Sequence, residues 1–104
     1  MTPTHDDSKL LSALRHPLRR RILREMADGK EASPNRLAGR LGEPLTNVSY
    51  HVRVLAACGA VALVRTEPAR GSVQHFYRRT VDAPWVHQLL ELEESASDPG
   101  ESPG

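Results

Sequence analysis

Between Leu45 and Cys58 an apolar repeat, Val48, Val52 and Leu55 at i, i+4 and i+7, is threaded with five hydrogen-bonding side chains: Thr46, Asn47, Ser49, Tyr50 and Arg53. If the apolar positions of a helix turn inward, these five fall on its outer side, close to its start. The chemistry open to them is recognition. An Asn amide matches adenine N6 and N7, and an Arg fork matches guanine O6 and N7. Asn47 and Arg53 are therefore the base-reading candidates. Leu45 is placed to meet a thymine methyl group, while Thr46, Ser49 and Tyr50 can reach base edges or phosphates. The bland roles are a helix cap for Thr46 and surface cover for Tyr50. His51 falls between the outer and inner faces, where a buried, hydrogen-bonded ring outweighs a base contact and leaves phosphate as its one nucleic-acid role. A second centre is Arg70, which with Gly71 marks the tip of the turn-rich segment EPARGS. An Arg on such a loop can enter a minor groove or meet a phosphate, against the alternative of a solvated side chain.

Positioning these groups takes a defined series of elements. Ser8 is a cap for a first helix with Leu10, Leu11 and Leu14, which ends near Arg15 and His16 because the residue before Pro17 is pushed from the helical region. Pro17 opens a second helix with Leu18, Ile22, Leu23 and Met26 on one face and Gly29 as terminator. Ser33 and Pro34 start a third, with Leu37, Ala38 and Leu41 before Gly42; the helix of about 45–58 follows almost at once and runs to Gly59. VALVRT and VQHFYRRT, on either side of EPARGS, predict a hairpin over about 61–80. After Asp82, a capping candidate, PWVHQLLELEE places Val86, Leu89 and Leu90 on one face of a last helix, with Trp85 adding apolar area. The order is α-α-α-α-β-β-α, mainly α with a small β-hairpin. A helix, a tight turn and a second amphipathic helix make a helix-turn-helix, whose second helix is built for the major groove.

The stretch LGEPLTNVSYHVRVLAACGAV, with its VS.H..VL..GAV skeleton, resembles the ArsR-type (ArsR/SmtB-like) winged helix-turn-helix regulators, and HPLRRRIL resembles the helix before it. The likeness covers roughly residues 10–80. It implies a winged-helix fold, dimerisation through the first and last helices, and repression of transcription at inverted-repeat operators in double-stranded DNA. The family's sensing sites are missing. Where arsenic sensors carry Cys-x-Cys, this chain has Ser33, Pro34 and Asn35; where zinc sensors pair acids and histidines along the last helix, Asp82 is followed by Ala83 and Pro84, and His87 by Gln88, Leu89 and Leu90. His5, His16, His51, His75 and His87 lack the spacing that sets two ligands on one helix face. No metal site or cofactor is expected. Cys58 reads as a small buried filler, with a redox role through an intersubunit disulfide left open. A small-molecule effector is left open and unidentified.

Composition frames these readings. The 104 residues are 38% hydrophobic and 26% charged, which suits one domain over 8–94 between a disordered start, 1–7, and a disordered tail, 95–104. Aromatics are limited to Trp85, Tyr50, Tyr77 and Phe76, so a monomer would be marginal and a homodimer is expected. Leu10, Leu14, Val86, Leu89 and Leu90 are its expected seam, because so small a domain offers no obvious interior for both end helices. Fourteen Lys and Arg oppose thirteen acids, five of them in residues 83–104, where no Lys or Arg occurs. The body thus has fourteen cations against eight acids, or +6, and suits a polyanion. Arg19, Arg20 and Arg21 cannot share one direction on a helix; a solvated face is the leading reading, with one Arg reaching the DNA backbone and another pairing with Glu25. A single cysteine, the absence of a leader-like start and the lack of an apolar run of membrane length point to the cytoplasm. No catalytic motif is present, so an enzyme is not expected. The alternatives are a winged-helix protein–protein interaction module without DNA binding and a thiol- or ligand-responsive regulator.

Overall fold

The computed structural model describes residues 7–96. Five helices and one hairpin follow in order: α1 (Asp7–Ala13), α2 (Pro17–Glu25), α3 (Pro34–Leu41), α4 (Leu45–Ala57), β1 (Val61–Ala69), β2 (Ser72–Arg79) and α5 (Pro84–Ala96). Element order and type are those expected. The boundaries shift locally. Ser8 lies within α1, which begins at Asp7, and α5 reaches Ala96; the remainder of the two end segments expected to be disordered lies outside the described residues.

Local chemistry explains the breaks. α1 stops at Ala13, and His16, held extended at ψ 123° ahead of Pro17, caps α2 by accepting the Leu18 N–H on Nδ1 at 3.2 Å. Ser33 caps α3 in the same way, its Oγ accepting the Arg36 N–H at 3.2 Å. Gly42 adopts the left-handed conformation at φ 66° that ends α3 and turns the chain into α4 within three residues.

β1 and β2 pair antiparallel from Val61 opposite Arg79 to Ala69 opposite Ser72, with an irregularity between Leu63 and Arg65. The two-residue connection has Arg70 at φ 35° and Gly71 at φ 83°, the paired positive angles of a type I′ turn. A bridge invisible in the sequence ties the hairpin to the body. Ala32, just ahead of α3, exchanges both backbone hydrogen bonds with Tyr77 at 2.9 Å.

One core gathers Leu10 and Leu14, Ile22, Leu23 and Met26, Leu37, Val48, Val52 and Leu55, Val61, and Val86 and Leu90. This corrects the expected dimer seam. Leu10, Leu14, Val86 and Leu90 are at most 4% exposed within one protomer, and Leu89 is half-buried. The two end helices do have an interior, because α5 folds back on α2. Its register is locked by Glu93, whose carboxylate takes Arg20 Nε at 2.8 and 2.9 Å, Arg20 Nη2 at 2.7 Å, and Arg24 Nη1. Hydrogen bonding from Arg20, against the opposing cost of burial, holds the Glu93 carboxyl down at about 2.

Leu90→Ala is expected to cost about 2–5 kcal/mol in urea denaturation, as a core truncation does. Leu92→Ala, at a position 70% exposed, should stay within about 0.5 kcal/mol. Equal effects would return Leu90 to the surface.

Candidate nucleic-acid interface

The outer face of α4 is open. Val48, Val52 and Leu55 are fully buried, which leaves Thr46, Asn47, Tyr50 and Arg53 exposed and Ser49 half-exposed. Among the described residues, none of these five side chains has a hydrogen-bond or ion-pair partner. Leu45 is 45% exposed at the first position of the helix. Thr46 is not the cap, since Pro44 occupies the cap position and no side chain bonds the first turn. The first-turn N–H groups of α4 are thus left without a side-chain cap.

His51 is the exception, and its assignment as a DNA contact is corrected. It is 8% exposed, its ring lies 4.2 Å from that of His16, and its Nδ1 accepts Arg19 Nε at 3.0 Å. An Arg can only donate, so His51 is neutral with its proton on Nε2. Burial first, then the nearby His16 and Arg19, push its pKa below the ordinary 6.5.

The arginine run of α2 is likewise not a solvated face. Successive residues of a helix point about 100° apart, and each arginine finds a different element. Arg19 holds His51 of α4 and the Ala13 carbonyl of α1. Arg20 holds Glu93 of α5. Arg21 spans the turn between α3 and α4, bonding Glu43 Oε2 at 3.1 Å and the Leu41 carbonyl at 3.0 Å. Glu25, the partner expected for one of them, pairs instead with Arg40. The helix-turn-helix is thus fastened from behind.

Across from α4 stands the hairpin. A cleft of about 170 Å³ has Leu45 and Ser49 on one wall, Gln74 and His75 of β2 on another, and Ser33 and Asn35 at the start of α3 between them. Asn35, Gln74 and His75 are additions that sequence reading missed; only tertiary pairing of the hairpin with the body brings them to α4. Arg70 sits at the hairpin tip with no side-chain partner among the described residues. The hairpin base is stiffened by Arg65, which lies 4.1 Å over the Phe76 ring and bonds Glu31 at 2.5 Å. Cys58 is buried and donates to the Leu55 carbonyl at 3.4 Å.

A helix-turn-helix domain family matches residues 14–64. The antiparallel hairpin β1–β2 follows directly after the matched helices. The chain has the winged helix-turn-helix fold. It is similar in structure to reduced HlyU from Vibrio cholerae, with 26% identity over 88% of each chain and a TM-score of 0.60. It also shares its fold with NolR from Sinorhizobium fredii, at 22% identity, 93% coverage of this chain, 97% of that one and a TM-score of 0.59. No curated protein matches significantly. The helix-turn-helix match and the winged-helix likeness support a DNA-binding transcription regulator. Among the described residues no helix is long and apolar enough to cross a membrane, and no three His, Cys, Asp or Glu side chains group as metal ligands.

Two titrations of the winged helix-turn-helix should be separable. A depressed folded pKa means stability is complete above the unfolded value and declines as pH falls below it. For His51 that decline begins near 6.5, and for Glu93 near 4.5, ending near 2. Thermal melts should therefore show two downward steps on acidification. His51→Gln should remove the upper step and Glu93→Gln the lower; an unchanged profile in either variant refutes the corresponding contact.

Proposed function

We propose that this protein is a sequence-specific transcriptional repressor of ArsR type, a homodimer that binds an inverted-repeat operator in double-stranded DNA in the cytoplasm and performs no catalysis. The observation that carries the reading is the outer face of α4, where Thr46, Asn47, Ser49, Tyr50 and Arg53 keep exposed surface and have no hydrogen-bond or ion-pair partner among the described residues. Polar groups in that state are ready to exchange water for base edges and phosphates. Asn47 and Arg53 read bases, Leu45 meets a thymine methyl group, and Thr46, Ser49 and Tyr50 fix register. Arg70 extends to the neighbouring minor groove or its phosphates.

The dimer takes a different face from the one read in the sequence. On α5, Trp85, Leu89 and Leu92 recur at i, i+4 and i+7 beside the buried stripe of Val86 and Leu90, and all three retain exposed surface. Leu11 on α1 is 53% exposed. Leftover apolar stripes on the end helices favour self-association.

A protein-docking role is the second reading, favoured by Leu63, Val64 and Val73, exposed apolar side chains along the hairpin. Salt separates the two. Binding to phosphates weakens steeply as salt rises, through counterion release, whereas an apolar contact does not.

In fluorescence anisotropy against fragments of its own promoter, Asn47→Ala and Arg53→Ala should each cost about 1–3 kcal/mol at the operator and leave the melting curve intact. Unchanged affinity in both removes the groove assignment. Leu92→Asp, a change at an exposed site, should shift sedimentation toward monomer; a persistent dimer would place the seam elsewhere.

A further inference from the structure

One cavity among the described residues is remote from the DNA face. It measures about 440 Å³ and lies between the end of α2, the end of β2 and the inner side of α5. That is within the size range of small-molecule sites. Met26, Val81 and Leu90 give it an apolar wall, while Arg24, Arg79 and His87 bring polar groups to it.

The charge on its inner side is not balanced. Arg20 and Arg24 share the single carboxylate of Glu93. Arg79 touches no carboxylate among the described residues. It gives one N–H to the Leu23 carbonyl at 2.9 Å and another to His87 Nδ1 at 3.1 Å, which leaves three of the five guanidinium donors without a protein partner among those residues. Because Arg79 donates to Nδ1, His87 carries its proton on Nε2 and gives it to Asp82 Oδ1 at 3.2 Å. Burial pushes the Arg79 pKa below its usual value, with only partial compensation from Asp82. The acids of this cavity, Asp82 and Glu91, are exposed at its rim, where water and salt screen them.

We propose that this cavity binds a small organic carboxylate, its head on the free edge of the Arg79 fork and its apolar body against Met26, Val81 and Leu90. A planar carboxylate matches two parallel N–H groups of a guanidinium, and the apolar wall selects against inorganic anions. Arg79 ends the second strand of the wing while bonding α2 and approaching α5. A ligand seated there bridges the wing base and the helix assigned to the dimer, so, resting on the repressor reading, occupancy and operator affinity are linked.

The probes are sodium benzoate, sodium phosphate and benzylamine, titrated at constant ionic strength into the ¹⁵N-labelled full chain without DNA. Saturable benzoate shifts at Val81, His87 and Leu90, with phosphate and benzylamine weaker, are expected. Arg79→Gln should weaken benzoate about tenfold or more, the equivalent of one charge-assisted hydrogen bond. Arg79→Lys, which keeps the cation near the Leu23 carbonyl, guards against an unfolded variant and should still bind less tightly than the fork. No saturation, a preference for benzylamine, equal binding of phosphate, or wild-type affinity in folded Arg79→Lys overturns the site. Because this arm contains no DNA, its failure leaves the operator reading standing, and loss of the operator reading leaves the site standing. Benzoate that binds while operator affinity stays constant overturns the link.

Discussion

The fold depends on one geometric constraint: three consecutive arginines on a helix must leave it in three directions. Arg19, Arg20 and Arg21 are set about 100° apart around α2, and each closes on a separate neighbour. Arg19 reaches α4 through His51, Arg20 reaches α5 through Glu93, and Arg21 reaches the turn between α3 and α4 through Glu43 and the Leu41 carbonyl. These bonds supply direction, and the apolar core supplies most of the free energy. A core of Leu, Val and Ile packs in several ways at similar cost. Charge-assisted bonds with fixed geometry reduce that choice, so α4 has one orientation from which to offer its outer face.

Much of this was legible because it is local. Proline after His16 and Ser33, glycine at 42, and the i, i+4, i+7 repeat of Val48, Val52 and Leu55 each act within a few residues of themselves. They announced the helices, the tight turn and the exposed side of α4. What stayed hidden depends on tertiary closure. Periodicity shows that Val86 and Leu90 share an apolar face, but it contains no information on whether the covering surface belongs to the same chain or to a second copy. The deciding contact, Glu93 with Arg20 and Arg24, joins residues about seventy positions apart. The arginine run was misread for the same reason, and the bridge between Ala32 and Tyr77 has no local signal at all. His51 was the intermediate case, since its position between two faces was visible while the partner that drew it inward was not.

The wing tip shows a local rule broken. A type I′ turn favours Asn or Gly at its first central position, and a residue with a Cβ in the left-handed region costs about 1 kcal/mol. Arg70 occupies that position at φ 35°, and among the described residues no side chain or carbonyl compensates it. Ser72 and Ala69 close the turn without it, the Ser72 hydroxyl donating to the Ala69 carbonyl at 3.0 Å. Strained positions of this kind cluster at binding sites, which agrees with the phosphate contact proposed for Arg70.

The cations of the described residues divide into those matched inside the fold and those that are not. Arg19, Arg20, Arg21, Arg24, Arg40, Arg65 and Arg78 are committed to carboxylates, carbonyls or, for Arg19, a histidine and a carbonyl. A committed cation attracts a polyanion weakly, because its field is cancelled at short range. Among the described residues the Arg15, Arg36, Arg53 and Arg70 side chains are uncommitted, and the last three lie on α3, α4 and the wing, the elements proposed to face a duplex. Arg79 differs again, since its carbonyl and imidazole partners leave its charge unmatched in a half-buried site. The net charge of the body is therefore a poor guide to binding. What matters is which guanidinium groups the fold has left unmatched, and here those at the surface of the motif face outward while the one inside borders a cavity.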